Sequence, residues 1–165
     1  MPWKSFKLIF LCIFFCFFFN FATTIKARDP DPHMMAQVCS SNRITANSAY
    51  EKTLNTLLSS LSSKATATLF YNTVLRSTNS SDTVYGLFMC RGDVPSQLCT
   101  QCVVIATGRL SSDPECSLSK EGVIWYDECM VRNSNVTFFS IMDTSPGKWF
   151  WNMANFSSNA ESFNI

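Results

Sequence analysis

Three cysteines lie close together near the middle of the chain, in the pattern Cys90-x8-Cys99-x2-Cys102. Thiols at this spacing can do three kinds of chemistry. They can form disulfide bonds, bind zinc together with a fourth ligand, or act as a redox-active pair at a helix N-terminus. The pattern alone does not choose among the three. The choice depends on the compartment in which the chain folds and on the other ligands that the sequence offers.

The first 27 residues have the layout of a secretory signal peptide. Lys4 and Lys7 precede an uninterrupted apolar run over residues 8–19, and small residues follow as far as Ala27. The run is shorter than the roughly 20 apolar residues of a membrane span. We therefore predict a secreted, extracellular protein with no membrane span after signal removal.

Removing this segment changes the charge balance. It carries three of the 13 basic residues and none of the 12 acidic ones, so the net charge from Arg28 onward is −2. A mildly acidic domain without a cluster of lysines or arginines is a poor partner for nucleic acid. The composition thus excludes nucleic-acid binding as the leading function.

Six cysteines remain once Cys12 and Cys16 leave with the signal peptide. They are Cys39, Cys90, Cys99, Cys102, Cys116 and Cys129. An even number in an oxidising compartment favours structural disulfides, although six cysteines allow 15 connectivities. Zinc would need reduced thiols and a fourth ligand, and the only histidine, His33, lies in a segment (residues 28–37) that we predict to be a disordered leader. A redox pair usually stands alone, whereas four more cysteines surround this one.

Three N-x-S/T sequons fit the same extracellular route, since glycosylation acceptors lie on the surface of secreted proteins. We predict glycosylation at Asn79, Asn135 and Asn155.

The hydrophobic pattern predicts helices separated by strands. Ser48 and Glu51 fit a capping box before a leucine stripe, which indicates a helix over residues 48–62. A second helix is expected from shortly before Cys99 to about Arg109. Strands are predicted over residues 70–75, 83–90, 122–132 and 137–142. This order indicates an α+β domain with helices packed on an antiparallel sheet.

Local features of the sequence give no support for catalysis. With His33 in the leader, no Ser-His or Cys-His arrangement is indicated. Asp127 and Glu128 are adjacent, so on the predicted strand they would point to opposite faces. The tripeptide Arg91-Gly92-Asp93 is interpreted as a turn, and the aromatic run Trp149-Phe150-Trp151 as a core plug or a last strand. We expect no catalytic residues, no metal and no cofactor.

The cysteine motif is preceded by Val84-Tyr85-Gly86-Leu87 and followed by Trp125-Tyr126-Asp127-Glu128-Cys129. Together these segments resemble the plant ginkbilobin-homologous domain, also called the stress-antifungal domain. The resemblance covers about residues 39–139. Such domains occur in cysteine-rich repeat secretory proteins and in the ectodomains of cysteine-rich receptor-like kinases, usually as two copies, and this chain resembles a single-domain secretory member or the first ectodomain module.

The resemblance implies a specific architecture. It implies two helices on a five-stranded antiparallel sheet with three disulfides. The implied pairs are Cys39–Cys116, Cys90–Cys99 and Cys102–Cys129. The domain would then span residues 38–145, followed by a C-terminal tail over residues 146–165.

The resemblance also implies a ligand, because ginkbilobin-type members bind mannose and inhibit fungi. Their three sugar contacts are an Asn, an Arg and a Glu, which correspond by position to Ser40, Val123 and Ser134. None of the three residue types is retained. The leading hypothesis is therefore a non-enzymatic secreted recognition module in plant stress or defence, located in the apoplast, that binds a carbohydrate or an extracellular protein. The alternatives are a mannose-binding antifungal lectin and, third, a thiol-disulfide oxidoreductase.

Overall fold

The computed structural model describes residues 31–77 and 82–149, in which one strand, one helix, two strands, a second helix and two further strands follow each other. Two helices, α1 (Ala49–Lys64) and α2 (Ser96–Ser112), pack on one face of an antiparallel sheet. The five strands are β1 (Met34–Cys39), β2 (Phe70–Arg76), β3 (Thr83–Cys90), β4 (Gly122–Tyr126) and β5 (Cys129–Ser134). They lie in the order β1-β4-β5-β3-β2, so the predicted α+β fold is confirmed.

The leucine stripe of α1 explains why this helix packs where it does. Leu54, Leu57 and Leu61 recur at helical spacing and are fully buried against the sheet. Ser48 caps the helix by accepting a hydrogen bond from the backbone N–H of Glu51, as the sequence predicts. The Glu51 carboxylate reaches back to the backbone N–H of Asn47, one residue before the cap.

The face of the sheet that meets the helices, here called the inner face, is set by strict alternation. Val84, Phe88 and Cys90 of β3 are buried on it, while Tyr85, Leu87 and Met89 point to the opposite, outer face. Gly86 also lies on the inner face, where Leu57 packs directly over its backbone. The close backbone approach that the sequence suggests at Gly86 is therefore present.

Three disulfides join these elements. Cys39–Cys116 ties the end of β1 to the loop after α2. Cys90–Cys99 and Cys102–Cys129 tie α2 to the ends of β3 and β5. The pairs are the ones that the family resemblance implies.

The structure corrects three predictions about secondary structure. Residues 122–132 do not form one strand, because Asp127 and Glu128 make a turn that splits them into β4 and β5. Residues 137–142 do not form a strand, and their aromatic residues pack against the outer face instead. Residues 34–37, which the sequence predicts to belong to a disordered leader, form the first part of strand β1 (Met34–Cys39).

Several predictions fall outside the described residues. They concern the signal peptide, the sequons at Asn79 and Asn155, and the tail from residue 150 onward. Within the ranges that the structure describes, no helix is long and apolar enough to cross a membrane.

The disulfides should contribute unequally to stability, because the free energy grows with the length of the loop that is closed. Replacing Cys39 and Cys116 by alanine opens a separation of 77 residues and is expected to cost about 4–5 kcal/mol. Replacing Cys90 and Cys99 opens a separation of 9 residues and should cost about 2–3 kcal/mol. Urea unfolding of both variants measures the difference, and equal losses would contradict this order.

The two glycines Gly86 and Gly108 should respond to alanine with opposite signs. A Cβ at Gly86 would lie 2.3 Å from Leu57 Cδ2, so Gly86→Ala is expected to destabilise by about 1–3 kcal/mol. Gly108 lies within α2 and its Cβ would meet nothing within 4 Å, so Gly108→Ala should stabilise by about 0.5–1 kcal/mol. Thermal unfolding of the two variants tests the pair, and Leu57→Ala should relieve part of the Gly86→Ala cost.

Candidate functional site

The cysteines of the central motif are structural. Cys99 and Cys102 bond to different strands and not to each other, and both side chains are fully buried. A redox pair needs the two thiols of Cys-x-x-Cys to form one accessible disulfide, so the oxidoreductase alternative is wrong for this arrangement. The same bonds occupy the sulfur atoms that a zinc site would use.

The Arg91-Gly92-Asp93 tripeptide is a turn, as predicted. Arg91 Nε donates to the Asp93 carboxylate, and Arg91 Nη1 donates to the carbonyl of Asp127 at 3.1 Å. The arginine and the aspartate thus satisfy each other and bind the neighbouring turn. This pairing within the domain weighs against presentation of the tripeptide as an adhesion ligand.

His33 contacts the turn between β4 and β5. Its Nδ1 lies 3.2 Å from Asp127 Oδ2, and its backbone N–H donates to Glu128 Oε2 at 3.1 Å. Both acidic residues therefore contact His33, whereas a continuous strand would have placed them on opposite faces of the sheet. His33 and Asp127 are exposed and Glu128 is half-buried, and the contacts of this cluster hold the start of the N-terminal strand against the turn.

The positions that correspond to the family's mannose contacts do not form a polar site. Val123 is buried on the outer face of the sheet, and the hydroxyl of the buried Ser134 accepts the backbone N–H of Val136. Ser40 donates its side-chain hydroxyl to the carbonyl of Asn42 at 3.4 Å. Both hydroxyls thus bond to nearby backbone groups, and Val123 offers only an apolar side chain.

The outer face is partly covered by the segment that follows β5, here called the covering segment (residues 135–149). Phe138 packs under the guanidinium of Arg132, whose Cζ lies 4.3 Å from the ring centroid. Phe139 packs edge-on against Tyr85 of β3, with ring centroids 5.9 Å apart. Aromatic and cation–π contacts, and not strand pairing, therefore hold this segment on the sheet.

Arg132 fixes the far end of the covering segment. Its Nη2 lies 3.0 Å from Glu121 Oε1 and 2.8 Å from Asp143 Oδ2, and the Arg132 side chain is largely buried. Asp143 Oδ1 also accepts the backbone N–H of Ser145 at 3.0 Å. The hydrogen bond from Arg132 holds the pKa of Asp143 below its usual value, so this carboxylate stays ionised in mildly acidic solution.

A cavity of about 400 Å³ lies where the covering segment meets β1 and β4. Its apolar part comes from Met35, Trp125 and Trp149, and the Trp149 side chain is 87% exposed. Its polar part comes from Asp143, Thr144 and Lys148. The interpretation of Trp149 as a core plug is therefore wrong, and sequence analysis missed this cavity.

A sequence signal for the cavity does exist. Trp125, Met130 and Arg132 are spaced so that, once the turn at Asp127 and Glu128 is recognised, all three point to the outer face. Trp149 lies in a different segment from these three residues. The Arg132–Asp143 ion pair helps to hold that segment on the sheet, and it has no local signature in the sequence.

Asn135 is the one predicted glycosylation acceptor within the described residues. It is half-buried in the bend after β5, and Val136 and Thr137 of its sequon are exposed. Its glycosylation stays a prediction.

These features define a class of protein: a disulfide-bonded extracellular α+β module with a covered sheet face. A model of the family described as "salt stress response/antifungal" matches residues 38–136, and the chain belongs to that family.

Relatives from Arabidopsis thaliana agree with this assignment. The chain is 40% identical to cysteine-rich receptor-like protein kinase 25, over 82% of the chain and 20% of that protein. It is 39% identical to cysteine-rich repeat secretory protein 8, over 68% of the chain and 40% of that protein. The chain thus spans well under half the length of these relatives, which are named as secretory and receptor-like proteins.

A solved structure shows the same fold. The tandem DUF26 ectodomain of the Arabidopsis thaliana cysteine-rich receptor-like protein PDLP5 superposes with a TM-score of 0.62 and 31% identity. The match covers 68% of this chain and 55% of the ectodomain. An extracellular location, predicted from the N-terminal segment, agrees with these relatives.

The Arg132–Asp143 ion pair should make stability depend on pH in the acid range. Because the folded pKa of Asp143 is lowered, the pair stabilises the fold above the unfolded pKa of about 3.9 and loses its effect as the pH falls through the folded value. Asp143→Asn should therefore lower the melting temperature at pH 6, and the difference from wild type should shrink in strong acid. A difference that stays constant with pH would contradict this assignment.

Proposed function

We propose that this domain is a non-enzymatic extracellular recognition module that binds a carbohydrate in the cavity between Trp125 and Trp149. The observation that carries the proposal is the exposed Trp149 ring beside a fixed carboxylate at the mouth of a preformed cavity. Ligand sites typically combine an apolar lining with a few placed polar groups, and this cavity has both.

The chemistry of the lining favours a sugar over a fully apolar ligand. A pyranose ring has an apolar C–H face that can stack on an indole, and hydroxyl groups at its edge that need hydrogen-bond partners. Asp143 can accept such bonds, Lys148 can donate them, and Thr144 can do both. Because Arg132 and the Ser145 N–H already hold Asp143 in place, little side-chain entropy is lost on binding.

The proposal of a non-enzymatic role is supported by what the charged side chains do. Arg132 is bound by Glu121 and Asp143, and Arg91 by Asp93. Asp127 lies against His33 at the opposite end of β4 from Glu121. These pairs hold segments together, and each is accounted for by a structural contact.

The alternative function is a mannose-binding antifungal lectin that uses the positions of the family's sugar contacts. The family description, salt stress response/antifungal, keeps this alternative open. The local contacts of Ser40 and Ser134 and the burial of Val123 weigh against it. The two sites have no residue in common, so substitutions can test them separately.

A glycan array followed by titration of the bound sugar tests the proposal on the secreted, fully oxidised protein. Trp149→Ala should weaken binding at least about tenfold, because it removes the exposed stacking surface. Ser40→Ala is the matched control at the other site and should leave the affinity unchanged. Mannose binding that survives Trp149→Ala and is lost in Ser40→Ala would establish the lectin alternative. A failure to bind any glycan would contradict both.

A further inference from the structure

An irregularity in strand β1 bears directly on the cavity proposed for the sugar. On β1, Met34 pairs with Tyr126 and Ala36 pairs with Trp125, so Met35 is an extra residue that has no partner on β4. Such β-bulges recur at sheet edges and beside functional sites, where they redirect a side chain. Here the bulge lies in an edge strand, and the side chain that it redirects belongs to the lining of the cavity.

The bulge changes which residues of β1 face each side of the sheet. Met34 packs against the core on the inner face, and Gln37 pairs with Ile124, whose buried side chain also belongs to that core. Strict alternation cannot place residues 34 and 37 on the same face, because they are three positions apart. The extra residue removes this conflict, and it leaves Met35 on the outer side with 39% of its surface exposed.

Both ends of β1 are fixed, which also fixes the backbone at Met35. At the start of the strand, the carbonyl of His33 accepts the backbone N–H of Asp127 at 3.0 Å. At its end, Cys39 is bonded to Cys116. A wall whose backbone is already in place needs little further ordering when a ligand binds. Met35 is therefore a preformed part of the cavity.

The lining of the cavity divides by chemistry according to the segment that supplies it. The sheet supplies Met35 from β1 and Trp125 from β4. The charged and hydroxyl side chains, those of Asp143, Thr144 and Lys148, all come from the covering segment. Met35 carries only a thioether, which is a weak acceptor and no donor. A ligand group that lies against Met35 therefore finds no good hydrogen-bond partner in that side chain.

This division favours a sugar with one apolar point on its edge. A hexose has hydroxyl groups around its ring and one more on C6. A hydroxyl turned toward Met35 would lose water without gaining a good partner, which is unfavourable. A methyl group at the same place would instead bury apolar surface against the thioether side chain. A 6-deoxyhexose has such a methyl group, and it keeps the ring hydroxyls that Asp143, Thr144 and Lys148 can bond.

We propose that Met35 is a specificity-determining residue of this cavity and that it selects a 6-deoxyhexose over the corresponding hexose. The methyl group of the sugar would lie against Met35, and the ring hydroxyls would bond the polar side chains of the covering segment. This inference rests on the proposed carbohydrate function, because it names the class of sugar for the same cavity. We expect a preference of about tenfold, at the low end of what one methylene changes in a closed pocket, because Met35 is partly exposed.

Two matched pairs of sugars test the proposal on the secreted protein with its three disulfides. L-fucose is compared with L-galactose, and L-rhamnose with L-mannose, since the members of each pair differ only at C6. Titrations followed by NMR measure the dissociation constants, and the 6-deoxy sugar should bind about tenfold more tightly in at least one pair. The ε-methyl signal of Met35 should shift during that titration and show a nuclear Overhauser effect to the methyl group of the sugar.

Substitutions at the same position separate discrimination from binding in general. Met35→Gln keeps the approximate length of the side chain and should bring the ratio of the two dissociation constants close to one. Met35→Leu should retain the preference. Met142→Gln is the matched control and should leave the ratio unchanged, because Met142 is 95% exposed and lies in the covering segment outside the cavity. Far-UV circular dichroism and thermal unfolding check that each variant keeps its fold.

Failure of this inference differs from failure of the proposed function. If sugars bind in a manner that depends on Trp149 but without preference for the 6-deoxy member, the proposed function stands and the role of Met35 is wrong. A preference that survives Met35→Gln would also overturn the inference. If the wild type binds no sugar at all, the proposed function and this inference are both wrong.

Discussion

The fold depends on one geometric match between a helix and two strands. Cys99 and Cys102 are three residues apart on α2, so their side chains lie on the same face, about 4.5 Å apart along the axis. Cys90 and Cys129 are directly opposite each other on β3 and β5, and neighbouring strands are about 4.8 Å apart. The two spacings agree, so two disulfides with similar Cα–Cα distances, 5.7 and 6.0 Å, can join one helical turn to two adjacent strands. The x2 spacing of the motif is thus a consequence of helix and sheet geometry.

As a result of this match, the two faces of the sheet have different roles. The inner face is covered by the two helices, which the bridges to α2 and the packing of Leu57 on Gly86 hold in place. The third bridge, Cys39–Cys116, holds β1 at the edge, and β1 completes the outer face with Met35 and Ala36. The accessible surfaces are the loops, the groove between α1 and α2, and the outer face, where the covering segment decides which residues stay accessible.

Much of the fold could be predicted because its signals are local. The leucine stripe and its Ser48 cap define α1, and alternation over residues 83–90 defines β3. The prediction of one strand over residues 122–132 was wrong because Asp127 and Glu128 form a turn. The strong β propensity of the residues around this charged pair outweighed the local turn signal in the sequence. Residues 137–142 are aromatic for a different reason: Phe138 and Phe139 contact Arg132 and Tyr85 from distant strands. The disulfide pairing and the β1 strand likewise depend on long-range contacts, which spacing alone does not encode.

The contacts of Arg132 explain how recognition can differ between this chain and the mannose-binding members that it resembles. Arg132 is directly opposite Val123, the position at which the resemblance implies a sugar-binding arginine. An arginine is thus still present at this level of the sheet, but its guanidinium lies against Phe138 and is bound by Glu121 and Asp143. Such an arginine is held away from a sugar hydroxyl, because its Nη2 bonds both carboxylates and its side chain is largely buried. Asp143, which Arg132 holds, lines the cavity together with Trp125 and Trp149. Arg132 therefore serves the structure at the level of the former sugar contact, and it fixes one polar residue of the tryptophan-lined cavity.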